Sequence, residues 1–109
     1  MNTYSFIING EAVTADQSFE VKNPATGASL GHAPIASPTQ VDRAVASARA
    51  AQAAWAARPD AERKAILLQV ADVLTENSAY LAEWITKEQG KPLTGPGSHF
   101  EMQACVGWT

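Results

Sequence analysis

The side chains of this sequence that could act as nucleophiles or metal ligands are few and far apart. They are two histidines, His32 and His99, and a single cysteine, Cys105. Neither histidine has a cysteine or carboxylate near it at the spacing of a zinc site. Cys105 belongs to an apolar stripe of helical spacing, where a cysteine is usually a small packing residue. The sequence therefore predicts structural roles for all three and no catalytic residue.

Two glycine-containing stretches could in principle hold a phosphate group. Gly90-Lys91 is not preceded by the glycine spacing of a phosphate-binding loop. The stretch 95–97 contains Pro96, which removes an N–H that a phosphate would need, and no strand precedes it. We therefore predict a turn here and no cofactor-binding residue.

Strand-forming patterns occupy the first third of the chain. Residues 6–8 and 11–14 flank the pair Asn9-Gly10, which favours a two-residue type I′ turn and hence a hairpin. Residues 19–22 alternate apolar and polar side chains, and a second extended run reaches Pro34, which is typical of an edge strand or a strand end. We predict strands and turns over residues 1–36, forming a small antiparallel unit.

Helical patterns follow from Ser37 onward. Ser37 and Gln40 have the spacing of a capping box, and Ser98 with Glu101 repeats it. Asp60 is a candidate N-cap for a second helix, and Gly90 is placed to end a helix. Asn77-Ser78 could be a break or a new cap. One apolar stripe has helical spacing in the first of these helices: Val41, Ala44, Val45, Ala48, Ala51 and Trp55.

These elements predict an α+β fold that is mostly helical, with two to three long helices over residues 37–109. No linker is visible, so we predict one segment spanning 1–109. The last helical stripe runs to Trp108 and Thr109 with no glycine or basic turn, so the sequence looks cut rather than finished. The predicted packing residues are Trp55, Ile66, Leu67, Val70, Leu74, Leu81, Trp84 and Ile85.

Composition excludes several classes of protein. The 109 residues include 8 Lys and Arg against 11 Asp and Glu, for a net charge of -3, which argues against a nucleic-acid surface. No apolar run approaches the ~20 residues of a membrane span. A lone cysteine cannot form an internal disulfide, which fits a reducing compartment and predicts a cytoplasmic location.

Several pieces of the sequence, taken in order, resemble the N-terminal part of the NAD(P)-dependent aldehyde dehydrogenase superfamily. The two most specific are the turn Asn-Pro-Ala-Thr-Gly at 23–27 and Glu-Gln-Gly-Lys-Pro at 88–92. Weaker matches lie at 6–11, 19–22, 41–45, 54–55, 62–67, 71–74 and 81–82 and at Trp108. The resemblance covers nearly the whole chain.

The resemblance implies an enzyme that oxidises an aldehyde to a carboxylic acid through a cysteine thiohemiacetal, with hydride transfer to NAD or NADP. In that family the nucleophile, the general base and the Rossmann segment follow the position of Trp108. The implied partner of this chain is therefore the remainder of the enzyme. The chain alone is expected to be inactive and to bind no dinucleotide.

The resemblance also implies a monovalent cation site, which some members of the family have. The matching positions are the backbone carbonyls of Val21 and Lys22 and the carboxylate of Glu88. Oxygen ligands of this kind suit a hard cation. Glu88 could equally be an ordinary carboxylate at a helix end.

A free-standing interaction module is the alternative function. The helices over 37–89 could form a helical hairpin that self-associates, because stripes of Ala, Val and Trp leave apolar area exposed when no further domain covers them. Trp55 and Trp84 would then be core or interface anchors. A third hypothesis, a small metal or nucleotide binder, finds no set of ligands in the sequence.

Overall fold

The computed structural model describes residues 4–109, which fall into two compact units. The first unit contains the chain up to Lys22 together with Ser29–Arg58. The second contains Asn23–Ala28 and Pro59–Thr109. Residues 1–3 of the predicted strand segment 1–36 lie outside the described residues.

The first unit opens with a short hairpin. Strand β1 (Phe6–Ile8) pairs antiparallel with β2 (Glu11–Val13). Asn9 and Gly10 connect them with φ angles of 55° and 78°. Both central residues of a type I′ turn need positive φ, so the predicted Asn-Gly hairpin is confirmed.

A second strand pair completes the β part of the first unit. Strand β3 (Gln17–Lys22) pairs antiparallel with β4 (Ser29–Ile35), and the register shifts between Val21 and Lys22. Pro34 lies within β4. Each strand of a two-stranded sheet is an edge, so a residue without an N–H is tolerated there.

Helix α1 (Pro38–Ala56) is capped as its sequence predicts. The Ser37 hydroxyl accepts a hydrogen bond from the Gln40 N–H at 3.2 Å, and the Gln40 side-chain oxygen accepts one from the Ser37 N–H at 2.9 Å. This reciprocal pair is a complete capping box. The helix ends at Ala56, shortly before Arg58. This agrees with the prediction, because a proline disfavours the helical conformation of the residue before it.

The second unit begins with two helices that follow each other directly. Helix α2 (Asp60–Glu76) and α3 (Ser78–Gln89) share Asn77 as their boundary residue. The prediction of Asp60 as N-cap is wrong, because Pro59 holds that position. Asp60 lies in the first helical turn, where its carboxylate suits the helix dipole.

The last helix, α4 (Ser98–Trp108), starts differently from the prediction. Gly97 is its N-cap, and no side chain caps it. Ser98 lies inside the helix with its hydroxyl 2.9 Å from that of Thr86, while Glu101 pairs with Lys91. The predicted capping box is therefore wrong, because both of its side chains are engaged elsewhere.

The helix-ending role of Gly90 is confirmed. Gly90 caps α3 in the left-handed conformation, with φ 72°, and its N–H bonds to the Thr86 carbonyl at 2.9 Å. A residue with a side chain is strained at this φ, which explains the glycine.

Few apolar side chains are fully buried among residues 4–109: Ile8, Ala82 and Met102. In the second unit, α4 packs against α2 and α3 and contributes Met102 to that small core. Trp55 and Leu67, predicted to be packing residues, are 38% and 43% exposed, so neither is fully buried. Val70 is also exposed, whereas the other predicted packing residues are half-buried: Ile66, Leu74, Leu81, Trp84 and Ile85.

The mostly helical fold with small antiparallel strand pairs at its start agrees with the predicted class. The described residues form four helices rather than two to three, and two separate strand pairs rather than one unit. Over residues 4–109 no helix combines the length and the apolar character that crossing a bilayer requires.

Candidate functional site

One side of α1 is bonded to the first hairpin through polar side chains. The bonds are Gln40 Nε2 to the Thr14 carbonyl oxygen (2.7 Å), Arg43 to the Glu11 carboxylate (3.1 Å) and the Ser47 hydroxyl to Asn9 Oδ1 (3.1 Å). Gln40, Arg43 and Ser47 are three and four residues apart, so they lie on one side of the helix. This hairpin side fixes the rotation of α1 about its own axis.

The apolar stripe of α1 faces outward instead. Val41 and Val45 are 50% and 54% exposed, and Trp55 is exposed further along the helix. A shallow groove of about 480 Å³ lies beside the stripe, and Val45 belongs to both. We call Val41, Val45 and Trp55 the α1 apolar face.

The prediction grouped the apolar residues of α1 into one stripe correctly, and it assigned no side of the helix to the hairpin. The helical spacing of Gln40, Arg43 and Ser47 was the sequence signal for a polar side of α1. The groups that these three side chains bond to, a carbonyl and two side chains, become their neighbours only in the folded chain.

Helix α2 also exposes apolar side chains, and α3 carries an aromatic pair. The exposed residues of α2 are Leu67, Leu68, Val70 and Val73. On α3, the rings of Tyr80 and Trp84 meet edge to face at 6.2 Å, and Lys87 Nζ lies 5.3 Å from the Trp84 ring. Trp84 is half-buried, and its role as a core or interface anchor stays a prediction.

A cleft of about 300 Å³ opens in the second unit between the ends of α2, α3 and α4. Met102 and Val106 form its apolar part, and Ser78, His99 and Gln103 are among its polar residues. His99 is exposed. The cleft therefore combines apolar side chains with hydroxyl, imidazole and amide groups.

The candidate nucleophile and metal ligands are distributed over two elements, β4 and α4. Cys105 is a free and exposed thiol on α4, so its predicted packing role is wrong. His32 lies on β4 in the first unit, whereas His99 and Cys105 belong to the second. Within residues 4–109, no three His, Cys, Asp or Glu side chains are grouped closely enough to hold a metal ion.

The loop before α4 does not fit a dinucleotide phosphate. Its hydrogen bonds are internal: the Ser98 N–H donates to the Pro92 carbonyl at 2.8 Å, and the His99 N–H donates to the Leu93 carbonyl at 3.2 Å. A phosphate-binding helix start needs such N–H groups pointing at the ligand. The loop passes so close to itself at Gly97 that a side chain would not fit, since a Cβ there would lie 1.9 Å from the Pro92 carbonyl oxygen.

The three predicted cation ligands lie in different units. Val21 and Lys22 end β3 in the first unit, at the register shift of its sheet. Glu88 lies in the last turn of α3 in the second unit and is exposed. The Lys22 ammonium pairs with the Glu20 carboxylate at 3.2 Å on its own strand. The cation site stays a prediction.

The Glu20 carboxylate on β3 has its pKa lowered by neighbouring donors. The hydrogen bond from Lys22 is the main cause that lowers the pKa of Glu20, and a hydrogen bond from Ser29 adds to it. Both donors stabilise the ionised form. The ion pair joins two residues of β3 on the surface, and the hydrogen bond from Ser29 links Glu20 to β4.

Comparison with known proteins identifies the family. The sequence profile of the aldehyde dehydrogenase family matches residues 12–107. The chain is 46% identical over 87 residues to N-succinylglutamate 5-semialdehyde dehydrogenase of Paraburkholderia xenovorans, an alignment that covers 79% of this chain and 18% of that enzyme.

Solved structures agree with the profile. Succinate-semialdehyde dehydrogenase from Burkholderia pseudomallei matches with a TM-score of 0.88 and 39% identity, over 95% of this chain and 22% of that one. The NADP-dependent glyceraldehyde-3-phosphate dehydrogenase from Bacillus halodurans, complexed with NADP, matches with a TM-score of 0.91 and 29% identity, over 98% and 22%. This chain spans about a fifth of the length of the proteins that it matches. The resemblance seen in the sequence motifs is thus confirmed, and the chain belongs to the aldehyde dehydrogenase family.

Proposed function

We propose that this chain is the N-terminal segment of an NAD(P)-dependent aldehyde dehydrogenase whose reacting groups lie in the rest of the enzyme. The observation that supports this most is that the family profile covers nearly all of this chain, whereas this chain covers only a small part of its relatives. The family profile matches residues 12–107, yet the chain spans about a fifth of the relatives. The segment would act as a structural part of the enzyme.

The chemistry of the described residues is consistent with a structural role. Cys105 is an exposed thiol, and N–H groups at the start of α4 bond to carbonyls of the loop before it. In the complete enzyme, an aldehyde and water would be converted to a carboxylic acid, and NAD or NADP would accept the hydride. The dinucleotide would be held outside this segment.

We propose a semialdehyde as the substrate class of the complete enzyme. Two of the matched proteins are named for semialdehydes that carry a carboxyl group, and they share 46% and 39% identity with this chain. The third is named for a phosphorylated aldehyde. All three names describe an anionic aldehyde.

A chimera tests the proposed function. This chain replaces the matching N-terminal fifth of the Paraburkholderia xenovorans enzyme, and NADH or NADPH formation is followed at 340 nm with a semialdehyde. We expect the chimera to oxidise the substrate and the 109-residue chain alone to be inactive. Turnover by the chain alone, or a chimera that does not fold while the parent enzyme does, would overturn the proposal.

A second candidate function is self-association of the chain through its exposed apolar helix faces. The observation in its favour is the exposure of Val45 on α1 and of Leu68 and Val73 on α2. Exposed apolar area of this kind commonly becomes an interface. Sedimentation velocity over a range of concentrations tests it, and a monomer at the highest concentration would contradict it.

A further inference from the structure

We propose that Asn9 is a self-modification site of this chain. Its side-chain amide is lost as ammonia through a cyclic imide formed with the backbone of Gly10, and the Ser47 hydroxyl promotes that step. The site lies in the first hairpin and is independent of the proposed function. The sequence of the turn, its exposure and its hydrogen bond to α1 together support it.

The chemistry needs only the two residues of the turn and water. The backbone nitrogen of Gly10 attacks Asn9 Cγ and forms a new N–C bond, and the bond from Cγ to Nδ2 breaks. The proton of the Gly10 N–H passes by way of solvent to the departing nitrogen, which leaves as ammonia. Water then opens the imide at either of its carbonyls and gives aspartate or isoaspartate. In sum, an amide and a water become a carboxylic acid and ammonia.

The turn leaves the attacking nitrogen accessible. Asn9 and Gly10 are both exposed, and a Cβ built on Gly10 would meet nothing within 4 Å. Glycine also lacks the side chain that would crowd the approach of its nitrogen to Cγ. The strands on either side, Phe6–Ile8 and Glu11–Val13, have three residues each. A hairpin this short opens locally at small cost, so the turn can leave its φ angles of 55° and 78° for the attack.

The hydrogen bond from α1 activates the amide. The Ser47 hydroxyl donates to Asn9 Oδ1 at 3.1 Å. Negative charge develops on Oδ1 when the Gly10 nitrogen attacks Cγ, and a donor already in place stabilises that charge. Because Ser47 bonds to the oxygen, it does not restrain the nitrogen that departs. The structure therefore adds a promoting group to a pair of residues that the sequence marks only as a turn.

The other asparagines among the described residues are placed differently. Asn23 precedes Pro24, whose nitrogen carries no proton to lose. Asn77 is exposed, but its Nδ2 donates to the Val73 carbonyl at 2.8 Å, and Ser78 begins helix α3. The helix holds the Ser78 nitrogen in place and the hydrogen bond holds the departing amide. Asn77 is therefore an internal comparison in the same chain.

The modification changes the hairpin and its contact with α1. Either product adds a carboxylate near that of Glu11 and makes the net charge of -3 more negative by one. Isoaspartate also routes the backbone through the side-chain carbon, which lengthens the turn between the paired residues Ile8 and Glu11. A two-residue type I′ turn has no place for the added atom, so we expect the strand pairing and the bond to Ser47 to weaken.

Incubation of the 109-residue chain in neutral buffer, followed by peptide mapping with mass spectrometry, tests the site. The readouts are the rates of amide-to-acid conversion at Asn9 and at Asn77. Ser47→Ala removes the donor to Oδ1. Arg43→Ala is the matched control, because it removes another bond between α1 and the hairpin, to Glu11 at 3.1 Å, and leaves the Asn9 amide untouched. Each variant is also incubated in urea, which separates Ser47 from the turn, and helical circular dichroism reports the fold in buffer.

We expect Asn9 to convert at least about ten times faster than Asn77 in buffer, since only the hairpin turn opens easily. Ser47→Ala should slow Asn9 by at least about threefold in buffer and leave its rate in urea unchanged, whereas Arg43→Ala should not slow it. Conversion of Asn77 as fast as that of Asn9, or no conversion of Asn9, would overturn the modification site. An unchanged or faster rate in Ser47→Ala, or equal slowing by Arg43→Ala, would overturn the promoting role of the hydroxyl.

A second pair of variants keeps the test decisive if alanine at this position disturbs α1. Ser47→Thr and Ser47→Val introduce side chains of equal size and shape that differ in the hydroxyl. The threonine variant should convert Asn9 at about the wild-type rate, and the valine variant should be slowed as alanine is. Equal rates in this pair would also overturn the role of the hydroxyl.

Discussion

Substitution by alanine is expected to have opposite effects on stability at two glycines of the second unit, Gly97 and Gly107. A Cβ on Gly97 would lie 1.9 Å from the Pro92 carbonyl oxygen, whereas a Cβ on Gly107, inside α4, meets nothing within 4 Å. Gly97→Ala must move backbone, so we expect it to lower the free energy of unfolding by at least about 2 kcal/mol. Gly107→Ala should raise it by about 0.5–1 kcal/mol, because alanine loses less backbone entropy in a helix. Urea unfolding of both variants measures the difference, and equal effects would contradict the close approach at Gly97.

The ion pair on β3 gives a prediction for pH. The pKa of Glu20 is lower in the folded chain than its ordinary value of 4.5, mainly because of Lys22. The ionised carboxylate therefore stabilises the fold above that ordinary value, and the contribution is lost as the pH falls through the lowered folded pKa. We expect Lys22→Ala to raise the pKa of Glu20 toward 4.5 in an NMR titration of its carboxyl carbon. Ser29→Ala should raise it less, and the reverse order would contradict the assignment of the main cause.

Among the elements, α1 depends on its first turn, because the rest of the helix has little packing within the chain. None of its residues is fully buried. The Ser37 hydroxyl accepts the Gln40 N–H at 3.2 Å, and we expect Ser37→Ala to cost about 1 kcal/mol of unfolding free energy. Thr39→Ala is the control, since Thr39 is exposed in the same turn and has no capping role. Chemical unfolding followed by circular dichroism compares them, and equal losses would show that the cap does not stabilise α1.

The two capping boxes of the sequence show what local pattern can and cannot predict. Ser37 and Gln40 form one because each side chain bonds to the backbone N–H of the other residue, while Gln40 also donates to the Thr14 carbonyl oxygen. Ser98 and Glu101 have the same spacing, but Thr86 and Lys91 engage them from α3 and the loop that follows it. The sequence pattern therefore states which side chains could cap, and the tertiary neighbours decide which of them do.

The apolar stripe of α1 shows that sequence pattern is limited in the same way for a whole side of a helix. Periodicity correctly grouped Val41, Val45 and Trp55 on one side of α1, but spacing says nothing of what covers that side. The polar bonds to the hairpin decide it, and they join residues more than 25 positions apart in sequence. The family could be predicted from the sequence because the motifs at 23–27 and 88–92 are specific to it, whatever the packing around them. The cation ligands Val21, Lys22 and Glu88 were predicted from that likeness alone, and the site stays a prediction.

At the scale of the molecule, the small amount of buried apolar side chain predicts weak cooperativity for the chain alone. Among residues 4–109, the fully buried apolar side chains are Ile8, Ala82 and Met102, while exposed ones include Leu68 and Trp108. A cooperative domain of this length would absorb about 70–80 kcal/mol on thermal unfolding. We expect differential scanning calorimetry of the isolated chain to show a broad transition with a much smaller enthalpy, because few of its apolar side chains are fully buried.

The chimera provides the comparison for that measurement. Once the segment is covered by the rest of the enzyme, its unfolding should merge with that of the whole chain into a sharper transition, as burial of the exposed faces couples them to the larger core. The helical circular dichroism of the segment would then be lost at the same temperature as the aldehyde-oxidising activity. A sharp transition of full enthalpy for the isolated 109 residues would contradict this, because it would mean that the exposed faces need no partner for cooperative folding.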